Sequence, residues 1–210
     1  MGLGGSYRVG DDIRGQHTLA FNTFFEDTSV FSESFGNNRG RTSLEYGGAS
    51  NTEGFDSFTM SLEGHDIAWL PGLTYKLGLI HQGRGVDGVA DENGVSASFL
   101  QSFRTTEGDQ WKLIGELAAF ENFQGTADNI IYASAGAVYE TGPWTAVLSG
   151  TWRPRDVADG SDFHDYSIQT SIEYDLGKGY SIALAHEFNR DKNLDNRRLG
   201  FRLSKVIQLD

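Results

Sequence analysis

The sequence contains no cysteine, and this absence excludes disulfide bonds and thiolate metal sites. It also lacks any apolar run that approaches the roughly 18 residues needed by a transmembrane helix. Basic residues are scarce, since 17 Lys and Arg stand against 29 Asp and Glu and give a net charge of −12. A nucleic-acid partner would need a clustered basic surface, so we expect none.

Histidine, the other common metal ligand and catalytic base, is sparse and scattered. The spacing of the five histidines forms no HxH or HxxxH pair, and no local signature of a nucleophile accompanies them. We therefore expect no metal, no cofactor and no catalytic residue. The 27 glycines, three prolines and 210 residues fit one all-β domain, residues 1–210, or the barrel module of a longer protein.

Strict alternation of apolar and polar residues is the strongest pattern in the chain. Between Asp165 and Leu176 the residues Tyr166, Ile168 and Ile172 alternate with polar side chains. A period of two over this length predicts a strand with two unlike faces. The same pattern continues through Tyr180–Asn189 and the final strand, in which Leu199, Phe201, Leu203 and Ile207 share a face.

Earlier segments predict further strands, to a total of about 12. The Gly64-His65-Asp66 stretch interrupts the alternation of one of them and predicts a β-bulge. The other predicted strands are Ser6–Val9, His17–Phe25, Arg41–Tyr46, Phe58–Trp69, Leu73–Gln82, Val95–Arg104, Trp111–Glu121, Ile130–Glu140 and Trp144–Trp152.

The connections between these strands are predicted to be alternately short and long. Short turns with Gly or Pro follow residues 69, 105, 139 and 175, and the long segments are Gly83–Gly94, Asn122–Asn129, Arg153–Asp162 and Arg190–Asn196. Tight turns at one end and longer loops at the other are typical of bacterial outer-membrane barrels. This parity places the C-terminus on the periplasmic side, and an even strand number would place the N-terminus there too.

Alternation alone leaves open whether the apolar face points outward to lipid or inward, as in a soluble barrel or sandwich. Strands of about 10 to 13 residues and aromatic residues at strand ends favour a tilted membrane crossing. The residues predicted to lie at the membrane interface are Trp69, Trp111, Trp144, Trp152, Tyr174 and Tyr180. The opposite face carries charges predicted to line a pore: Lys76, Arg104, Lys112, Glu116, Glu173, Glu187, Arg198 and Arg202.

With these features the chain resembles the Gram-negative outer-membrane β-barrel (porin-like) superfamily. The most specific part of the resemblance is the last strand, LGFRLSKVIQL at Leu199–Leu209, which is similar to the terminal strand recognised during barrel assembly. The chain departs from that pattern because it ends in Gln208-Leu209-Asp210 and not in an aromatic residue. The resemblance implies a closed antiparallel up-and-down transmembrane β-barrel in the bacterial outer membrane, in contact with its lipids.

Three functions follow as hypotheses. The first is a passive channel for small hydrophilic solutes, with selectivity set by the inward charges, although those charges could equally pair and only stabilise the barrel. The second is a non-conducting anchor or export module of a larger secretion or polysaccharide-export protein. The third is an outer-leaflet lipid-modifying enzyme, for which His81 and His164 would need a serine such as Ser96 or Ser167 beside them.

Overall fold

The protein is described by a computed structural model that covers residues 2–24, 55–85, 88–157, 160, 163–191 and 194–206. This part of the chain is all-β apart from a single 3-10 turn at Phe123–Gly125. The strands are β1 (Gly2–Asp11), β2 (Gly15–Phe24), β3 (Ser57–His65), β4 (Leu73–Gln82), β5 (Glu92–Arg104), β6 (Gln110–Glu121), β7 (Asn129–Thr141), β8 (Trp144–Asp156), β9 (Phe163–Gly177), β10 (Tyr180–Asp191) and β11 (Leu194–Lys205).

These strands form one 11-stranded sheet in which every strand pairs antiparallel with its neighbours in sequence. The up-and-down arrangement predicted from the sequence is thus confirmed. The sheet is open, because the order begins at β1 and ends at β11 without a pairing between these two edge strands in the described ranges. The predicted strand Arg41–Tyr46 lies outside the described residues, so the expected closure and the expected count of about 12 strands are both unconfirmed.

Two tight turns set the register of the C-terminal half. Gly142 and Pro143 join β7 to β8, and Lys178 and Gly179 join β9 to β10. Lys178 and Gly179 both have positive φ angles, 54° and 79°, as the two central residues of a type I′ hairpin turn require. Such turns match the twist of antiparallel strands, and the pairing of β9 with β10 shifts register once just beyond this turn.

Two predictions about strand limits are wrong. β3 ends at His65, where Asp66 adopts a left-handed φ of 57°, so the interrupted alternation marks a strand end and not a bulge. A register shift occurs instead between Tyr180 and Ser181. The predicted long connection Arg190–Asn196 is also absent, because Asp191 pairs directly with Leu194 and leaves only residues 192–193 between the strands.

The sheet has two ends, which we name by their connections. The turn end carries the connections at residues 12–14, 66–72, 105–109, 142–143 and 178–179, and the loop end carries those that follow β2, β4, β6, β8 and β10. Because eleven strands alternate in direction, β1 starts at the loop end and β11 finishes at the turn end. The start of β1 and the finish of β11 therefore lie at opposite ends of the sheet, whereas an even number of strands would have placed them at the same end.

The packing differs from that of a layered globular domain. Within the described ranges the buried hydrophobic side chains are Ile67 and Ile130, and large apolar side chains elsewhere on the sheet are exposed. A sheet stabilised by its own core would bury one face against a second layer. Here no second layer covers either face in the described part of the chain, so the two faces themselves become the candidate functional surfaces.

Candidate functional site

The strand register divides the side chains into two faces, because directly opposed residues point to the same side of a sheet. One row of opposed residues crosses all eleven strands: Val9, His17, Gly64, Tyr75, Phe99, Gly115, Ala135, Gly150, Ile168, Phe188 and Arg197. We call the side that this row occupies the apolar face and the other side the polar face. Val9 lies near the turn end of β1, whereas Arg197 lies near the loop end of β11, so the rows run obliquely. Such a stagger accompanies strand tilt in barrels.

The apolar face is continuous from one edge strand to the other. Its large hydrophobic side chains remain exposed, with Leu199 at 75% and Leu148 at 54%. The exposed members are Leu3, Tyr7, Val9, Leu19, Phe21, Met60, Leu77, Leu79, Val95, Phe99, Phe103, Leu113, Leu117, Ile131, Trp144, Leu148, Trp152, Ile168, Ile172, Tyr180, Leu184, Leu199, Phe201 and Leu203. A patch of this extent is larger than water-soluble monomers usually expose, and such patches mark surfaces that contact another protein or a membrane.

Aromatic side chains border the apolar face at the turn end. Trp111 packs beside Tyr139 with tilted rings, and Trp144 packs edge-to-face beside Tyr174, each pair with ring centroids 4.6 Å apart. The ammonium group of Lys205 lies 4.8 Å from the ring centroid of Tyr180. Four of the six side chains predicted for a membrane interface, Trp111, Trp144, Tyr174 and Tyr180, therefore lie along one border.

Trp69 and Trp152 lie away from this row. Trp69 belongs to the connection between β3 and β4 and is 72% exposed, so it sits beyond the strand end at which it was predicted. Trp152 lies on the apolar face toward the loop end, directly opposite Tyr166. At about 3.3 Å per residue, Trp144 and Trp152 are separated by about 26 Å along β8. At the strand tilt of about 35–45° found in outer-membrane barrels, that spacing would project to roughly 19–22 Å, somewhat less than their ~25 Å apolar band.

The polar face is covered mainly by small side chains. Ser134 and Thr151 are hydrogen-bonded across β7 and β8 with their hydroxyl oxygens 3.0 Å apart. Small residues on this face include Ser6, Ala20, Ser61, Gly78, Ser96, Ser98, Ala118, Gly136, Ser149, Ser167, Ser171, Ala183, Ala185 and Gly200, and the exposed apolar side chains of Leu100 and Ile114 lie among them. Small polar residues leave space above the sheet that water can occupy.

Most charges predicted to line a pore lie on the polar face in ion pairs. Lys76 contacts Glu63 at 2.6 Å on the opposing strand, and Lys112 contacts Glu140 at 2.7 Å. Arg202 reaches across β10 to Glu173 at 2.6 Å. A looser pair joins Arg198 and Glu187 at 3.8 Å. Each pair joins adjacent strands or strands separated by one other, so these charges lie flat against the polar face and largely cancel one another.

Two of the predicted pore-lining charges differ from the rest. Glu116 and Arg104 are both exposed on the polar face, and neither has an ion pair or hydrogen bond with the part of the chain that the structure describes. Glu116 lies opposite Ser98 and Ser134 in the middle of β6, whereas Arg104 ends β5 at the turn end. These two carry charge that nearby groups do not neutralise.

A second group of charged residues forms ion pairs at the loop end of the polar face. Arg84 and Glu92 form a pair in which both side chains are less than a tenth exposed, and the backbone N–H of Gln124 also donates to Glu92. Two further pairs, Arg153 with Asp165 and Arg155 with Asp128, follow along β8. The sequence-based prediction missed this group, because its members lie in or beside segments that read as solvated loops.

The turn end contains two aspartates with altered acidity. The pKa of Asp109 is lowered chiefly by the hydroxyl of Tyr139, which donates a hydrogen bond of 2.6 Å to the carboxylate. The pKa of Asp11 is lowered by hydrogen bonds from the backbone N–H groups of Arg14 and Ile13. Both carboxylates act as acceptors that fix the geometry of their turns.

The histidine and serine residues considered for lipid hydrolysis are kept apart by the sheet. His81 and His164 lie on the apolar face at the loop end, and the nearest polar partner of His81 is Asn93, at 2.8 Å. Ser96 and Ser167 occupy the polar face. Because a nucleophile and its base need hydrogen-bond distance, these four side chains do not assemble a catalytic pair.

Neither a metal site nor a membrane-spanning helix is found among the described residues. Among the residues with described positions, no group of three or more His, Asp or Glu side chains is arranged to hold a metal ion. The described helical structure includes no helix with the length and apolar character to cross a membrane. No protein-family model matches the chain, and no curated protein matches it significantly.

Proposed function

We propose that the chain forms the wall of an outer-membrane β-barrel whose polar face lines a passive channel for small hydrophilic solutes. The observation that carries this proposal is the contrast between the two faces, one continuously apolar and exposed, the other small, polar and charged. An exposed apolar face of this kind fits contact with lipid. A face of small polar residues and paired charges fits the water-filled interior of such a barrel.

The aromatic border supports the same orientation relative to the membrane. Trp and Tyr rings prefer the level of the lipid headgroups, and a lysine that extends from this level keeps its charge in water. The aromatic preference is consistent with the border position of Trp111, Trp144 and Tyr180. The lysine preference is consistent with Lys205, whose ammonium group lies beside the ring of Tyr180. In the proposed orientation the turn end is periplasmic and the loop end faces outward.

Weak ionic selectivity is the expected property of this channel. Selectivity comes from charges that a passing ion experiences, and paired charges oppose each other at short range. With Lys76, Lys112 and Arg202 paired, Glu116 remains as the most central uncompensated group. We therefore expect a slight preference for cations and no tight solute binding.

Planar-bilayer conductance tests the proposal. Detergent-purified protein that shows heat-modifiable migration, a sign of a folded barrel, is added to one side of the membrane. Discrete single-channel steps are the expected result. Folded protein that inserts into liposomes but gives no steps would contradict the channel function and would favour a non-conducting anchor or export module. No described residue arrangement favours the lipid-modifying alternative.

A further inference from the structure

A small hollow lies on the polar face at the loop end, above strands β7 to β10. Its volume is about 260 Å³, slightly below the range of roughly 300–1,000 Å³ that is usual for drug-sized ligands, so the hollow suits a small solute. Tyr132 of β7, Arg153 of β8, Asp165 of β9 and Asp191 of β10 each contribute to its wall. In the orientation proposed above, a solute that enters from outside meets this hollow before it reaches the middle of the polar face.

The charged groups around the hollow do not cancel. Arg153 donates a hydrogen bond of 2.5 Å to Asp165, and its distance to the carboxylate of Asp191 is 3.7 Å. Because 3.7 Å exceeds the hydrogen-bond range, Asp191 interacts with the guanidinium through charge alone. One guanidinium beside two carboxylates leaves a net charge of −1 in this group.

Asp191 is the carboxylate that a solute can reach. Its side chain is 62% exposed, whereas the side chain of Asp165 is 12% exposed. The carboxylate of Asp191 accepts no hydrogen bond from the residues that the structure describes. An ionised carboxylate only accepts hydrogen bonds, so a solute that binds it must supply the donors.

The polar groups beside Asp191 are also short of donors. The Oδ1 atom of Asn189 is buried and has no hydrogen-bond partner in the described part of the chain. Its Nδ2 atom, the donor of the same amide, already faces Glu187 at 3.4 Å. Thr151 and Ser167, directly opposed on β8 and β9, add two hydroxyl groups to the wall. The hollow is therefore matched to a solute that is rich in hydrogen-bond donors.

Tyr132 adds an aromatic wall to this acceptor-rich site. Its half-buried ring meets the ring of Phe120 edge-to-face, with the centroids 6.3 Å apart. A phenol ring attracts cations through its face and accepts hydrogen bonds at its hydroxyl oxygen. Both properties favour a positively charged donor in the hollow.

We propose that this hollow, which we call the Asp191 site, binds the protonated primary amine of a small hydrophilic solute. The ammonium group donates hydrogen bonds to the Asp191 carboxylate and lies beside Tyr132, while the hydroxyl groups of Thr151 and Ser167 bind the remaining polar groups of the solute. The role of the site as the entry point for permeating cations rests on the channel proposed above, whereas binding itself does not.

Other small ligands fit the hollow less well. An anion is repelled by the exposed carboxylate of Asp191, and a neutral polyol gains nothing from the net charge. A bare metal ion needs several converging carboxylate or imidazole ligands, and no such group of three exists among the residues with described positions. A primary ammonium group combines one positive charge with three donors, as the site requires.

A comparison of glucosamine with glucose tests the proposal on the wild-type protein. The two sugars share a ring and differ at one position, where the ammonium group of glucosamine replaces a hydroxyl group. Saturation-transfer NMR on the protein folded in detergent micelles, at mildly acidic pH, measures binding without any need for conduction. We expect millimolar binding of glucosamine that weakens as salt rises from about 0.1 M to about 1 M, and no measurable binding of glucose. Equal binding of both sugars, or none of glucosamine, would overturn the proposal.

Two matched variants then locate the site. Asp191→Asn should weaken glucosamine binding by roughly three- to fivefold, the effect of one partly exposed ion pair. Asp195→Asn is the control, because it removes the same charge near the loop end from the apolar face, where Asp195 pairs with Arg190 at 2.6 Å. Tyr132→Leu keeps every charge and should also weaken binding, so the proposal is testable even if Asp191→Asn does not fold.

The outcomes separate this site from the channel function. Equal losses in Asp191→Asn and Asp195→Asn would show unspecific attraction to an acidic protein and would overturn the proposal. Glucosamine binding that is lost in Asp191→Asn, in a protein that gives no single-channel steps, would support the site and contradict the channel. Single-channel steps from a protein that does not bind glucosamine would support the channel and refute the site.

Discussion

At the scale of single residues, the arrangement of charges on the polar face was the least predictable feature. Alternation correctly assigned Lys76, Lys112 and Glu173 to one face, but it could not reveal which partners they would meet. Those partners depend on register, as shown by Glu63 opposite Lys76 and by Arg202 reaching Glu173 across a neighbouring strand. In the proposed channel, the residues expected to influence ion selectivity most are therefore those left unpaired.

Glu116 is expected to set the small cation preference of the channel. Replacement by glutamine removes its charge without changing its shape, so the ratio of cation to anion permeability should fall toward or below one. The reversal potential in a salt gradient across a planar bilayer measures this ratio. Glu107→Gln, in an exposed connection at the turn end, is the matched control and should alter the ratio less. An unchanged ratio in Glu116→Gln would place the conducting path elsewhere.

The hydrogen bond between Tyr139 and Asp109 should make the stability of the turn end depend on pH. The folded-state pKa of Asp109 lies below that of the unfolded chain, ~3.9. The stabilisation is therefore complete above the unfolded value and is lost as the pH falls through the folded value. We expect Asp109→Asn to lower the unfolding temperature at pH 7 and to differ less from the wild type near pH 3. A difference that stays constant with pH would contradict this linkage.

His186 is a polar side chain at the centre of β10, exposed on the apolar face beside Leu184 and Phe188. In the proposed membrane orientation it contacts lipid near mid-depth, so His186→Leu should raise the free energy of unfolding by about 1–2 kcal/mol. Denaturant unfolding from liposomes measures the change. The control Ala185→Leu, on the polar face of the same strand, should give no such gain. Destabilisation by His186→Leu would indicate that this face meets water.

At the scale of strands, periodicity predicted the elements well because each face has a distinct environment. β4 has the predicted limits, and β5 to β10 contain their predicted segments with short extensions. Errors arose where polar residues extend a hairpin beyond the apolar band. Arg190 and Asp195 are opposed across β10 and β11, and a 2.6 Å ion pair joins them. That contact supports strand structure in a segment whose composition predicted a loop.

Gly115 illustrates how two strands fit together on the apolar face. A Cβ atom at this position would lie 2.2 Å from Cε1 of Phe99, which covers the glycine from the neighbouring strand. Gly115→Ala should displace that ring and cost about 1–3 kcal/mol of unfolding free energy. Gly200→Ala is the matched control, since its nearest neighbour would be 4.0 Å away. Equal unfolding free energies for the two variants would show that the Phe99 ring adjusts freely.

At the scale of the whole molecule, the sequence predicted two unlike faces but could not establish closure. Closure depends on the total number of strands. With an odd number the first and last strands run in the same direction, and with an even number they run in opposite directions. The apolar face extends to both edges, through Tyr7 on β1 and Phe201 on β11. The exposed apolar surface therefore has no lateral limit within the described sheet.

In the proposed orientation the apolar face contacts lipid and the polar face contacts water. This orientation is tested with spin labels on single cysteines in liposome-reconstituted protein, placed in β9 at Ser167, Ile168, Gln169, Thr170, Ser171 and Ile172. We expect labels at 168, 170 and 172 to collide preferentially with oxygen dissolved in lipid, and labels at 167, 169 and 171 with a water-soluble nickel chelate. The reversed alternation, or uniform access to the nickel chelate along β9, would contradict the account.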